Sequence, residues 1–351
     1  MKILNKKIGN DAPVFVIAEL SANHNQNFNL AVKTIRAMKK SGADAVKIQT
    51  YTADTLTIDS DQEYFKIKQG TIWDGATLHK LYQQAYTPWE WQPKLKKVAE
   101  ELGMIFFSSP FDKSAVDFLQ KMKVPAYKIA SFEITDHGLI GYAAKKKKPM
   151  IISTGVATRA DISDALRVCK AAGNEQVALL KCTSAYPAAS DEMNLKTIPD
   201  MAKKFKVVVG LSDHSIGQTA AIAAVALGAK IIEKHFILDR KMGGPDSSFS
   251  MEPEEFKSMV LSIRDTEKAL GKVTYELSKN SQKSRELSRS LFVVEDVKQG
   301  EKFTAENIRS IRPGFGLAPK FLDQILGKKA KTFLSKGTPL SWKLIDWEFS
   351  G

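Results

Sequence analysis

Short apolar, β-branched runs recur along the chain and alternate with amphipathic stretches. The runs are VFVIAEL (14–20), AVKIQT (45–50), MIFFSSP (104–110), AYKIAS (126–131), MIISTG (150–155), VALLKCTS (177–184), VVVGLSDH (207–214) and KIIEKHF (230–236). They are too short for helices, and continuous enough to be buried on both faces as the strands of a parallel sheet are. Every run except the second is followed within a few residues by a helix-like segment. In NLAVKTIRAMKKSG (29–42), Leu30, Ile35 and Met38 make one face and Gly42 ends the pattern. A strand–helix alternation of this length predicts an α/β fold, the (β/α)8 TIM barrel.

The interval from Tyr51 to Leu102 is too long for a bare connection, and it reads as a lid over the barrel mouth. The second barrel helix is expected to begin near Pro88, since proline suits a first helical turn. After the helical stretch EPEEFKSMVLSIRDTEKALG (252–271) the pattern changes. Residues 1–272 therefore read as the barrel and the polar 273–290 as a linker. Residues 291–351, with short strand-like pieces broken by Gly and Pro, read as a small second domain.

Hydrophobic residues make up 43% of the chain and charged ones 26%, an ordinary globular balance. No apolar run approaches the roughly 20 residues that span a bilayer, so no membrane segment is expected. The start of the chain shows no apolar signal segment. Only Cys169 and Cys182 are present, too few for a disulfide framework, which points to a reducing cytoplasm. The net charge of +13 raises nucleic-acid binding, but the basic residues are scattered over helix faces and form no arm. The dense KKKK at 145–148 closes a helix, where cations suit the dipole. No nucleic-acid partner is expected; the positive potential suits a small anionic substrate equally well.

Barrel enzymes collect their active groups at the C-terminal ends of the strands. Polar residues stand at those ends here: Glu19, Lys47 with Gln49, Ser108 with Ser109, Lys128 with Ser131, Ser153, Lys181, Ser212 with His214, and Glu233 with His235. Residues two apart on a strand share a face, so Lys47 and Gln49 go together, as do Ser212 and His214, and Glu233 and His235. His214 and His235 end neighbouring strands, about 4.8 Å apart in a sheet. Two imidazoles so placed could hold one divalent cation, or each could be satisfied by loop hydrogen bonds. Lys47, Lys128, Ser131 and Ser153 suit a phosphate or carboxylate. An inward lysine also suits Schiff-base chemistry, so an aldolase or lyase stays open. Lys181 and Lys234 read as rim lysines at the surface.

The motifs FVIAELSANHNQ, VKIQTY, FSSPFD, YKIASFE, ISTG, LLKCTSAYP, GLSDHSIG, EKHFILDR and GGPDSSFSMEP resemble, in order, those of the sialic acid synthase family. The C-terminal RSIRPGFGL and GKKAKTFLSKGTPLSW resemble its antifreeze-like (SAF) domain, a β-clip. The resemblance implies condensation of phosphoenolpyruvate with the open-chain aldehyde of an N-acetylated amino sugar, giving a 2-keto acid and phosphate. By the same resemblance Lys47, Ser109, Lys128, Ser131, Ser153 and Ser212 hold phosphoenolpyruvate. His214 and His235 bind Mn2+, with Mg2+ or Co2+ as alternatives, and Glu19 handles a proton. Gln49, Glu133, Tyr186, Asp246 and Arg312 contact or support the sugar, Arg312 reaching across a domain-swapped homodimer. TIWDG, TPWEW and CTSAYPA resemble the branch whose sugar is 2,4-diacetamido-2,4,6-trideoxy-L-altrose. The legionaminic precursor and N-acetylmannosamine are the alternatives. Trp73, Trp89 and Trp91 are the expected apolar wall for a deoxy sugar.

Overall fold

A computed structural model of the chain describes residues 1–68 and 74–347. It divides into two compact units, Met1–Gly271 and Lys272–Gly351. In the first, β1 (Phe15–Glu19), β2 (Ala45–Thr50), β3 (Ile105–Pro110), β4 (Tyr127–Ile129), β5 (Met150–Ser153), β6 (Val177–Cys182), β7 (Val208–Asp213) and β8 (Ile231–His235) form a closed barrel. All neighbours are parallel, and β8 closes the ring by pairing with both β7 and β1. Helices separate successive strands, from Phe28–Lys40 after β1 to Pro253–Leu270 after β8. Their starts are set locally. Asn27, Asp112, Asp136 and Thr158 each accept a backbone N–H of the first turn, satisfying donors that have no partner inside the helix. Gly42, at φ +90°, ends the first helix as its sequence suggests.

Two local expectations need correction. The second barrel helix is Gln92–Glu101, with Pro93 in its first turn, and not a helix from Pro88. Pro88 has ψ 130° and leads into a 3-10 turn over Trp89–Trp91, because its backbone is too extended to begin an α-helix. The polar segment 273–290 carries a short exposed helix, Lys279–Arg285, capped by Ser278, and its last residue, Ser290, begins a strand. In the second unit Ser290–Val293 pairs antiparallel with Ile308–Ile311, and Lys329–Ala330 with Ile345–Asp346. Leu291, Val293, Val297, Phe303, Ile308, Leu334 and Ile345 make its core. Among the described residues, no helix is long and apolar enough to cross a membrane.

What positions the site is the alternation along each strand. Phe15 and Ile17 of β1, Ala45 of β2, Ile105 and Phe107 of β3, Ala126 before β4, Ile151 of β5, Ala178 and Leu180 of β6 and Ile231 of β8 share one interior cluster. The residues between them, such as Val16, Val46, Phe106, Tyr127, Ile152, Leu179 and Ile232, join the cluster under the helices. Continued by steps of two, the interior series runs to Glu19, Lys47, Ser109, Lys128, Ser153, Cys182, Ser212 and Glu233. The barrel is thus filled with apolar side chains low down and polar ones at its C-terminal mouth. A hairpin of Lys2–Ile3 and Lys6–Lys7 closes the other end, with Ile3 and Ile8 joining the interior cluster.

That closure is expected to matter for stability. Ile8→Ala removes fully buried methylenes from the barrel floor and should cost about 2–4 kcal/mol in urea unfolding.

Candidate active site

Four ionisable side chains meet at the mouth, all buried. Lys47 Nζ lies 2.5 Å from Glu19 Oε2 and 3.6 Å from Glu233 Oε1. Lys128 Nζ reaches the same Glu233 oxygen at 3.6 Å. Serines complete the layer: Lys47 donates to Ser109 Oγ at 3.3 Å, Lys128 to Ser153 Oγ at 2.6 Å, and Ser212 donates to Glu233 at 3.1 Å. Two cations and two carboxylates balance formally, and this is what allows them to be desolvated together. Burial pushes the Glu19 carboxyl up to about 7 against the pull of Lys47, with Glu233 adding to the rise. For Glu233 burial acts the same way, but Lys128 and Lys47 outweigh it and hold the carboxyl low. Burial would lower the Lys47 ammonium, yet Glu19 and Glu233 prevail and raise it. At Lys128 burial prevails, and its pKa falls.

Ser131 lies beside this layer and accepts the Gly155 N–H at 3.0 Å. Gly155 has no room for a side chain: a Cβ there would lie 2.1 Å from Ser184 Oγ and 2.8 Å from Ser131 Oγ. The glycine thus lets the Ser131 and Ser184 hydroxyls approach the backbone closely, and hydroxyls of this kind can donate to anion oxygens.

His214 and His235 face each other with ring centroids 5.3 Å apart. His214 Nδ1 lies 3.0 Å from the Thr183 carbonyl, which can only accept, so that nitrogen carries the proton. His235 Nδ1 is buried without a hydrogen-bond partner among the described residues, 3.6 Å from Asp246 Oδ2. Burial, then the charges of His214 and Lys47, hold the His235 imidazole well below its ordinary pKa. An uncharged ring with an unmet nitrogen is competent to ligate. No group of three or more His, Cys, Asp or Glu poised for a metal occurs among the described residues. The two imidazoles therefore fit a divalent ion only if water and substrate oxygens complete its shell.

Beside His235 opens a cavity of about 180 Å³, lined by Ser21, Gln49, Tyr51, Leu81, Tyr82, Ala85, Tyr186 and Asp246 among others. Gln49 donates to Ser21 Oγ at 2.9 Å and to Glu19 at 3.4 Å. Asp246 accepts the Ala22 N–H at 3.5 Å, and burial raises its pKa. The exposed Tyr186 ring lies 4.4 Å from that of His214. Glu133 is half-buried, and burial pushes it up to about 7 although Lys128 opposes the shift. Arg312 belongs to the second unit, exposed just after the strand Ile308–Ile311.

Several expectations are corrected by packing. Trp89 and Trp91 do not wall the cavity. The Trp89 ring lies 4.8 Å from Phe118 and its Nε1 donates to Tyr51 O, while Trp91 packs against His24 and Phe28. Trp73 lies outside the described residues. The wall comes instead from Tyr51 and the helix Leu78–Ala85. Lys234 is no rim lysine: it is fully buried, paired with Asp213, because its parity turns it toward the helices. Ser108 also faces outward, bonding Thr50 and the Ile48 carbonyl.

Two members of the site had no role assigned from sequence. Glu233 is central to the charge cluster, a place foretold only by its parity with His235. Cys182 lies 3.7 Å from His214 Nδ1; burial would raise the thiol, but His214 and then Ser131 lower it to about 7. A larger groove of about 800 Å³ opens at the opposite end of the barrel. Its Lys6 and Arg264 are already paired with Asp44.

Residues 34–275 match the NeuB family and residues 288–346 the SAF domain. A pseudaminic acid synthase of Campylobacter jejuni is 49% identical over 95% of this chain and 98% of its own length. One of Helicobacter pylori is 47% identical over 94% and 97%. The crystal structure of an N-acetylneuraminic acid (sialic acid) synthetase from Leptospira borgpetersenii superposes with a TM-score of 0.73. It is 31% identical, covering 81% of this chain and 94% of that one.

The charge balance at the mouth is directly testable. Glu233→Gln leaves the two lysines one carboxylate short and should destabilise the fold by about 3–5 kcal/mol. Added inorganic phosphate should then raise the melting temperature more in the variant than in the wild type, since a bound anion supplies the missing charge.

Proposed function

The chain belongs to the NeuB family, and we propose that it acts as a pseudaminic acid synthase, joining phosphoenolpyruvate to 2,4-diacetamido-2,4,6-trideoxy-L-altrose. The observation that carries the chemistry is the buried layer of Lys47, Lys128 and serines beside two facing imidazoles. Lys47, Lys128, Ser109, Ser131, Ser153 and Ser212 hold the phosphate and carboxylate of phosphoenolpyruvate. The anion takes over the charge compensation that Glu19 and Glu233 otherwise provide. Gln49, Glu133, Tyr186 and Asp246 orient the sugar so that its aldehyde carbon meets C3 of the enolpyruvate. The new C–C bond forms there, and the aldehyde oxygen becomes a hydroxyl. Water adds to the electron-poor C2, and the C–O bond to phosphate then breaks, leaving a ketone and inorganic phosphate. Glu19, with a carboxyl raised to about 7, can take a proton from that water or give one to the aldehyde oxygen. His214 and His235 would hold a divalent ion, Mn2+ in our reading, which when bound supplies polarisation of the aldehyde.

The choice of sugar is supported by the relatives' identity and by Leu81 and Ala85 at the cavity wall, which suit a methyl group better than a hydroxymethyl. A Schiff-base mechanism is disfavoured at Lys47, which Glu19 and Glu233 keep cationic. Lys128 donates its N–H groups to Ser153 and the Ile129 carbonyl. We further assign Arg312 to the N-acetyl group of sugar bound by a second copy, in a domain-swapped homodimer. Both cysteines are free thiols, in keeping with a cytoplasmic setting.

Phosphate release from phosphoenolpyruvate is expected with the altrose derivative, is lost on chelation and returns with Mn2+. Release with N-acetylmannosamine or the legionaminic precursor instead would overturn the sugar assignment; release after full chelation would overturn the metal. Arg312→Ala should raise KM for the sugar about tenfold or more with KM for phosphoenolpyruvate unchanged, the loss of one charge-assisted hydrogen bond.

A further inference from the structure

Two consecutive rungs of the β7–β8 ladder carry side-chain pairs, and the residues that follow them make a third. Ser212 and Glu233 are register partners whose side chains bond on the inner face. Asp213 and Lys234 are partners on the next rung, turned outward, with Lys234 Nζ 2.8 Å from Asp213 Oδ2. Beyond them His214 and His235 return to the inner face, ring to ring. The outward pair is fully buried, with both side chains at 0% exposure. It is also branched. Asp213 Oδ1 accepts the backbone N–H of Ser215 at 2.9 Å and its hydroxyl at 2.7 Å. Lys234 donates to the Ser215 carbonyl as well. The residues before and after His214 are therefore both tied to the residue before His235.

A buried ion pair is a poor source of stability, because desolvating two charges cancels most of their attraction, and apolar residues of the same shape do as well or better. In some proteins such a pair fixes geometry instead. We propose that the Asp213–Lys234 pair is a positioning device that sets the spacing and facing of His214 and His235 from behind the sheet. Neither residue touches the mouth. Each acts through its neighbours on the same strand. The inference rests on this geometry, and only its turnover readout depends on the reaction assigned above.

The test separates fold from position. Lys234→Met leaves Asp213 buried and unpaired and should lower the melting temperature. The neutral double variant Asp213→Asn, Lys234→Met removes the unpaired charge while keeping an acceptor for Ser215, and should recover most of that loss. If the pair positions the histidines, the double variant still loses at least tenfold in kcat, with KM for phosphoenolpyruvate changed far less. With the chain labelled at its five histidines, the ring NMR signals of His214 and His235 should shift in the double variant while those of His24, His79 and His137 stay. A double variant with recovered stability, unchanged His214 and His235 signals and wild-type turnover would overturn the proposal. Should the wild type release no phosphate with any sugar, the reaction assignment falls, and the histidine signals still decide this one.

Discussion

The structure turns on how four charges are kept out of water together. Glu233, Glu19 and Lys47 come from the adjacent strands β8, β1 and β2, and Lys128 from β4, which stands opposite β8 in the ring. None of the four could be buried alone at tolerable cost. Only a closed ring brings them within a few ångströms, so the fold and the charge cluster depend on each other. The apolar floor of Phe15, Ile17, Phe107, Leu180 and their neighbours excludes water from below. That exclusion is what makes the electrostatics above it strong.

In the function proposed above, the same balance lets the site receive an anion. The carboxylates compensate the lysines, but they do so imperfectly. Glu233 contacts both cations at 3.6 Å, longer than a tight ion pair, and one of its oxygens is buried without a hydrogen-bond partner among the described residues. Glu19 is pushed toward neutrality. A phosphate or carboxylate with better geometry can displace this arrangement without leaving a bare charge behind.

Around that centre the elements divide the work. Strand ends supply the charged and imidazole groups, on rigid backbone where small errors in position are avoided. The long connection after β2 supplies Tyr51, Leu81, Tyr82 and Ala85, which shape the cavity without carrying charge. Charged groups on the barrel and neutral walls on the connection are separate parts, and such a separation lets one change while the other is kept. The outward Asp213–Lys234 pair belongs to the first group, although it lies on the far side of the sheet from the cavity.

The eight strands, their parallel order, and the inward run from Phe15 through Ile17 to Glu19 were all legible in the chain, because strand periodicity is a local property. So were the imidazoles at the ends of β7 and β8, the lysine and serine set, and the family motifs. What the chain did not disclose was any fact that depends on contacts between distant residues. Lys234 reads as a surface lysine until its outward parity is combined with the helices that cover it and with its register partner Asp213. Trp89 and Trp91 read as a sugar wall until Phe118, Phe28 and His24 are seen to occupy their rings. Glu233 reads as one polar strand end among many until barrel closure sets it between two lysines. Hydrophobic periodicity fixes which way a side chain points; only the closed tertiary structure decides what it meets there, because burial and pairing are set by residues far away in sequence.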